Sequence, residues 1–190
     1  MSQLLIGLTG PARTGKSTTA HHLMLEHGFQ SYAFADPMRD ALMALFQLEP
    51  EDFEGAAKEE PIGWLGRSPR QLMQLLGTEW GRHMISANLW VDLAEQHLDA
   101  IANASWATPP FVISDVRFEN EADFIRKRGG VIVHLQRFDA PKVNAHASET
   151  GVSLHKHDLV LVNNGDLPSL FGQIEGLLDS VRANRARSAA

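Results

Sequence analysis

The sequence predicts an α/β fold, a five-stranded parallel sheet flanked by helices. Short apolar runs suit strands buried on both faces, and longer segments with helical spacing separate them. A glycine-bearing loop also joins the first strand to the first helix. The 190 residues suit one domain, or a core domain carrying a mobile subdomain. With 44% hydrophobic and 21% charged residues the chain has the profile of a globular protein. A net charge of −6 argues against coating nucleic acid through bulk electrostatics. The absence of cysteine excludes disulfides, thiolate metal sites and thiol nucleophiles. No apolar run approaches the roughly 18 residues of a membrane span, and Met1-Ser2-Gln3 does not open a signal peptide, so a cytoplasmic location is expected.

Leu4 to Leu8 reads as the first strand, Gly10 to Ser17 as a loop, and Lys16 to His27 as a helix. A second strand fits Gln30 to Ala35, after which Asp36-Pro37 reads as an N-cap with proline at the first helical position. Met38, Ala41, Leu42, Leu45 and Phe46 continue with helical spacing. From Glu49 to Gly66 the composition shifts to six acidic residues, two prolines and three glycines, which predicts an excursion from the core. Ser68-Pro69 opens the next helix, with Gln71 completing a capping box. Another helix covers Leu89 to Ile101, and Phe111 to Asp115 is a buried strand ending in a carboxylate. A helix from Asn120 to Arg128 and a strand from Val131 to Leu135 follow. The segment Arg137 to His157 is polar and irregular, Asp158 to Val162 is the last strand, and Leu167 to Val181 the last helix. The tail Arg182 to Ala190 is basic and alanine-rich, and is expected to fray.

Gly10-Pro-Ala-Arg-Thr-Gly15-Lys16-Ser17 satisfies G-x-x-x-x-G-K-[ST] between a strand and a helix, the setting that gives this motif meaning. Glycines let the backbone curl so that successive N–H groups point at phosphate oxygens, and the helix N-terminus adds partial positive charge. Lys16 then reaches the β and γ phosphates, and Ser17 offers a hydroxyl to Mg²⁺. A nucleoside triphosphate is the implied ligand. Asp115, ending an apolar strand, has the form of a carboxylate that holds Mg²⁺ beside such a loop.

The group that receives the phosphate is written less plainly. Arg39 lies in the first turn of its helix, beyond the carboxyl end of the second strand, where ligands bind in open α/β sheets. Arg70, Gln74 and Gly77 fall at i, i+4 and i+7, on one helix face. An arginine and a carboxamide beside a glycine suit a phosphate at one end and a base edge at the other. Taken alone, the same arginine reads as a solvated residue on an amphipathic helix. The nine histidines show no convincing metal spacing: His21 and His22 fall in a helix, and His146, His155 and His157 in the polar segment. Asn163-Asn-Gly165 is either a turn or a loop against a nucleotide base. The four tryptophans read mostly as core or subdomain packing, with Trp80 alone a candidate to stack on a base.

Arg70 to Trp80, together with Phe34-Ala-Asp-Pro-Met-Arg39, resembles the phage-type deoxynucleoside monophosphate kinases. The resemblance continues in order through Ser114 to Glu121, His146 to Glu149 and Asn163 to Gly165. It implies a P-loop kinase fold with a mobile lid and an acceptor-binding subdomain. The implied activity is Mg²⁺-assisted phosphoryl transfer from ATP to a deoxynucleoside monophosphate. Carried onto this chain, it makes Gly10, Arg13, Thr14, Gly15, Lys16, Ser17, Thr18 and Thr19, with Arg137 at the start of a lid, the expected ATP contacts. It places Asp36, Met38, Arg39, Arg70 and Gln74 at the acceptor, and Gly77, Thr78 and Glu79 near the base or sugar. Arg117, Asn120 and Glu121 are expected to line the cleft from the other side. Lys16, Arg70, Asp115 and Arg117 are the expected catalytic groups, and Ser17 and Asp115 the metal ligands. Where some members carry a lysine in the phosphate loop this chain has Ala12, which leaves acceptor preference open.

Two other readings stay open. Ile6-Gly-Leu-Thr-Gly10 also resembles the start of dephospho-coenzyme A kinases; a hydroxyl acceptor, there or in a deoxynucleoside kinase, would need Asp36 as base. A nucleotide-binding switch would need no acceptor pocket at all. The expected strand order is 2-3-1-4-5, neither nucleic acid nor membrane is an expected partner, and a homodimer is compatible with the resemblance.

Overall fold

The computed structural model describes residues 4–104, 108–138 and 151–188. Its contacts divide the chain into two compact units: the two ends, up to Ala33 and from Ala100 onward, and the intervening Phe34–Asp99.

The first unit is built on five parallel strands: β1 (Leu5–Thr9), β2 (Gln30–Tyr32), β3 (Phe111–Ile113), β4 (Val131–Gln136) and β5 (Leu159–Val162). Their order is β2-β3-β1-β4-β5, as the family resemblance implied. β1 is central, pairing Ile6 with Val112 of β3 and with Val131 of β4. All five of its residues are buried, which explains an apolar run without alternation. β2 stops at Tyr32, three residues before the expected end. β3 also ends early, at Ile113, so Asp115 stands beyond the strand.

On one face, Ile6, Leu8, Val112, Val133, Leu135 and Leu161 pack against α1 (Lys16–His27) and α6 (Leu167–Ser188), which contribute Leu23, Leu170, Ile174 and Leu178. Burying each such side chain is worth roughly 1.5–3 kcal/mol. An exposed ion pair is worth about 0–1 kcal/mol, so this cluster, not surface charge, holds the sheet to its helices. α5 (Glu119–Lys127) supplies buried Ala122, Phe124 and Ile125. α6 runs on to Ser188, correcting the expectation that the chain frays from Arg182. Alanine favours helix, and Arg185 and Arg187 in its last turn oppose the negative end of the helix dipole.

The second unit contains α2 (Asp36–Phe46), α3 (Pro69–Gln74) and most of α4 (Leu89–Ala104). The expected cap at Asp36 is corrected: Ala35 is the N-cap, and Asp36 begins the helix. Ser68 caps α3 as predicted, accepting from the Gln71 N–H while Gln71 Oε1 accepts from the Ser68 N–H. Beyond Gln74 the helix widens into a π-helix, Leu75–Ile85. The excursion contains two short 3₁₀ helices, Pro50–Phe53 and Ala57–Glu59, and closes through an antiparallel bridge between Ile62 and Arg67. Among the described residues no helix is long and apolar enough to cross a membrane.

Candidate active site

The loop after β1 adopts a backbone that few residues tolerate. Gly10 has φ 136° and Gly15 φ 105°, in the region that glycine alone enters freely. A Cβ at Gly10 would collide with the Leu135 carbonyl, and one at Gly15 would lie 2.6 Å from Asn163 Nδ2. Arg13 is left-handed at φ 64° without being glycine, a conformation costing of order 1–3 kcal/mol that collects at functional sites.

Hydrogen bonds fix this curl from inside and outside. Thr14 Oγ1 donates to the Pro11 carbonyl (2.9 Å), and Asn163 Nδ2 donates to the Thr14 carbonyl (3.0 Å). Lys16 Nζ donates to the Gly10 and Pro11 carbonyls, at 2.7 and 2.6 Å, which holds the ammonium against the loop. A cavity of about 420 Å³ opens here, with Arg13, Lys16, Ser17 and Thr18 on one side and Arg137 and Asn163 among its other lining residues. Gly165, Asp166, Leu167 and Leu170, from the turn into α6, complete it. Cationic loop residues on one side and leucines on another suit a ligand with an anionic end and an apolar end. The expectation for Thr19 is corrected: it is 2% exposed and outside the cavity lining, whereas Thr18 lines the cavity. The Asp166 and Leu167 contribution was missed; its signal was the turn chemistry of Asn163-Asn-Gly165 immediately before them.

Asp115 lies just past the end of β3, the neighbour of β1, so it shares with the phosphate loop the carboxyl edge of the sheet. The backbone around it is pinned, with the Ser114 N–H donating to the Tyr32 carbonyl and the Val116 N–H to that of Leu8. Glu121, expected to line a cleft, is instead buried as a cap on backbone N–H groups. It is 2% exposed, and its Oε2 accepts from the N–H groups of Arg117 (2.7 Å) and Phe118 (3.0 Å). A carboxylate three residues into a helix satisfies donors that the helix itself cannot. Asn120 is half-buried in the first turn of α5.

The acceptor-side candidates lie in the second unit. Arg39 Nη1 donates to Asp36 Oδ1 (2.9 Å), and Arg70 Nε donates to Glu59 Oε1 (2.7 Å). Glu59, from the acidic excursion, was not foreseen, because no motif links it to an arginine eleven positions on. Gln74 is half-buried, Thr78 buried and Glu79 exposed. Gly77, expected near the base or sugar, is buried: a Cβ there would lie 2.7 Å from Met38 Sδ, so the glycine makes room for Met38. The Gly77 carbonyl also accepts from the buried Trp90 indole N–H (2.7 Å). Trp80 is 45% exposed. The expected lid falls mostly on 139–150, outside the described residues.

The parallel sheet and its glycine-curled loop define a P-loop kinase fold. A sugar kinase from Janibacter sp. shares it, with a TM-score of 0.50 at 17% identity over 94% of this chain and 95% of that one. So does TT1252 from Thermus thermophilus, with a TM-score of 0.50 at 16% identity over 95% of this chain and 98% of that one. A family model described as deoxynucleotide monophosphate kinase matches residues 64–174. A putative deoxynucleotide monophosphate kinase of Acanthamoeba polyphaga mimivirus is 35% identical, over 93% of this chain and 97% of its own. The deoxynucleotide monophosphate kinase of Enterobacteria phage T4 is 25% identical, over 92% of this chain and 98% of its own. The chain belongs to the deoxynucleotide monophosphate kinase family.

Proposed function

We infer that the protein transfers the γ-phosphoryl group of ATP to the phosphate of a deoxynucleoside monophosphate. The observation that carries this reading is the Gly10–Ser17 loop, whose strained backbone and lysine stand at the mouth of a nucleotide-sized cavity in a chain of this family. An oxygen of the acceptor phosphate forms the new bond to Pγ, the Pγ–O bond to the β-phosphate breaks, and ADP leaves. The acceptor phosphate is an anion at neutral pH, so no side chain has to remove a proton. Catalysis then rests on positioning and on neutralising charge.

Within this reading Lys16 exchanges its loop carbonyls for β- and γ-phosphate oxygens, and Thr18 donates to the phosphate chain. Arg137 and the Asn163–Leu167 turn hold the nucleoside end. Ser17 and Asp115 are oxygen donors at the carboxyl edge of the sheet, the ligand chemistry Mg²⁺ prefers, and they would hold it; Mg²⁺ supplies charge neutralisation to the phosphates. Arg117 is placed by the Glu121 cap to add positive charge. Arg39 and Arg70 grip the acceptor phosphate, with Asp36 and Glu59 orienting their guanidinium planes. A guanidinium carries five N–H donors, so a carboxylate on one edge orients it without consuming it. Met38, Gln74, Thr78 and Glu79 surround the sugar and base.

A hydroxyl acceptor would require Asp36 as general base, and that carboxylate is engaged by Arg39. The test is a panel of deoxynucleoside monophosphates, deoxynucleosides and dephospho-coenzyme A with Mg²⁺ and coupled detection of ADP. ADP release should depend on a monophosphate. Turnover with nucleosides or dephospho-coenzyme A alone would overturn the acceptor, and release without any acceptor would indicate a switch.

A further inference from the structure

Toward the other end of α1, away from the phosphate loop, three side chains converge that no part of the phosphoryl-transfer chemistry uses. His22 and His27 come from α1, and Glu175 from α6. Both imidazole Nε2 atoms lie 2.8 Å from the same oxygen, Glu175 Oε1. One ligand atom from each of the three residues lies within 4.8 Å of the others. The side chains of His22 and His27 are only 12% and 15% exposed, while that of Glu175 is 48% exposed, so the cluster is backed by protein and reachable from solvent.

Packing holds the rings in place. His22 stacks nearly flat on Phe171, with centroids 4.2 Å apart and planes at 11°. His27 meets His22 edge to face, with centroids 5.8 Å apart. Two imidazole nitrogens and a carboxylate are therefore brought to one point by packing that does not depend on a ligand. Sequence spacing concealed the cluster: the histidines are five apart, and the carboxylate is 148 residues beyond the second.

We propose that His22, His27 and Glu175 bind a divalent transition-metal ion of the Zn²⁺ type, clamping the C-terminal half of α1 to α6. Two imidazoles and one carboxylate are a donor set that Zn²⁺ takes with a fourth position left to water. Mg²⁺ and Ca²⁺ favour all-oxygen shells and are poorly served by two nitrogens. Binding requires both rings neutral with the hydrogen on Nδ1, so the ion replaces the two hydrogen bonds now made to Oε1. The site is independent of the Mg²⁺ proposed at Ser17 and Asp115, and stands whether or not the acceptor has been identified correctly.

The test uses the full chain, free of nucleotide, titrated with Zn²⁺ and separately with Mg²⁺. Zn²⁺ should bind at one equivalent with micromolar or tighter affinity and raise the melting temperature, while Mg²⁺ does neither. Glu175→Gln and His27→Gln should each weaken Zn²⁺ binding at least tenfold and leave the melting temperature of the metal-free protein within a few degrees. In the wild-type protein, imidazole ¹⁵N resonances should move on Zn²⁺ addition for two of the nine histidines, His22 and His27. That readout needs no variant to fold. Resonance changes at other histidines alone, unchanged affinity in both variants, or no saturable Zn²⁺ binding would each overturn the proposal.

Discussion

The phosphate loop and the acceptor-side helices are built by different means. Around Gly10–Ser17 the geometry is set by backbone: positive φ angles, a carbonyl that admits no Cβ, and Asn163 reaching back to the Thr14 carbonyl. In Phe34–Asp99 the candidate side chains are oriented by ion pairs, Asp36 with Arg39 and Glu59 with Arg70, on partly exposed surfaces. Backbone-set sites tolerate almost no substitution, because the constraint is steric. Ion-paired sites tune gradually, because a partner can be weakened without moving the chain.

The largest expected effect is at Lys16. Replacing it with alanine removes a preorganised charge from the loop, and kcat should fall at least about a hundredfold with Mg-ATP saturating. Near-normal kcat would mean that the loop does not hold the transferred phosphoryl group.

Glycine substitutions compare the two regions directly. Gly10→Ala forces an L-residue to φ 136° against a fixed carbonyl, and should lower stability by about 2–3 kcal/mol in urea unfolding. Gly77→Ala meets only the sulfur end of Met38, a flexible side chain, and gains helix propensity, so the change should stay within about 1 kcal/mol. Equal losses at the two positions would remove the contrast between backbone-set and side-chain-set construction.

Arg70→Ala should raise KM for the monophosphate by about thirtyfold, the scale of a hydrogen bond to a charged group, and change KM for ATP only a few-fold. Arg70→Lys should not restore it, since an ammonium lacks the planar fork. Glu59→Gln should act on the same parameter more weakly, by a few-fold, because Glu59 orients Arg70. Parallel increases in both KM values would show that Arg70 supports folding and not the acceptor.

This division also explains what could be read from the sequence. The phosphate loop was legible because its chemistry demands glycines at fixed offsets from a lysine, and the Ser68–Gln71 cap because it is complete within four residues. The parallel α/β sheet followed from the alternation of strands and helices, and the strand order from the resemblance to P-loop kinases. Glu59 was not legible, since any of six acidic residues in the excursion could have met Arg70. Gly77 and Glu121 were expected at the acceptor through the family resemblance; the burial of Gly77 under Met38 is decided by tertiary packing, whereas the Glu121 cap on the Arg117 and Phe118 N–H groups is local and was overlooked. His22 and Glu175 met only when α6 was laid against α1.

The smallest effect concerns Asp158, at the entry to β5. Its side chain is 2% exposed and accepts from Arg126 Nη2 (2.6 Å) and Nε (3.1 Å) and the His155 N–H (2.9 Å), and its Oδ2 lies 3.0 Å from His134 Nε2. Arg126 also donates to the Ser153 carbonyl, so the cluster ties residues 151–158 to α5 and β4. Burial alone would push the Asp158 carboxyl upward; the Arg126, His155 and His134 contacts outweigh it and hold the pKa below the ordinary 3.8. A depressed folded-state pKa means that the unfolded chain takes up the proton first as pH falls. The stabilising contribution is therefore complete above about pH 5, declines from there, and is lost once pH passes below the folded-state pKa. Asp158→Asn mimics the protonated state at every pH. Urea midpoints of the two proteins should differ most near pH 6, with the wild type more stable, and converge as pH is lowered through 4 and below. Acidic groups outside this cluster titrate in both proteins and cancel in the difference, while Glu119, which shares Arg126 with Asp158, adds to the same coupled titration. A gap between the midpoints that stays constant down to pH 3 would show that the Asp158 contribution is packing alone, and that its ion pair with Arg126 adds no pH-dependent stability.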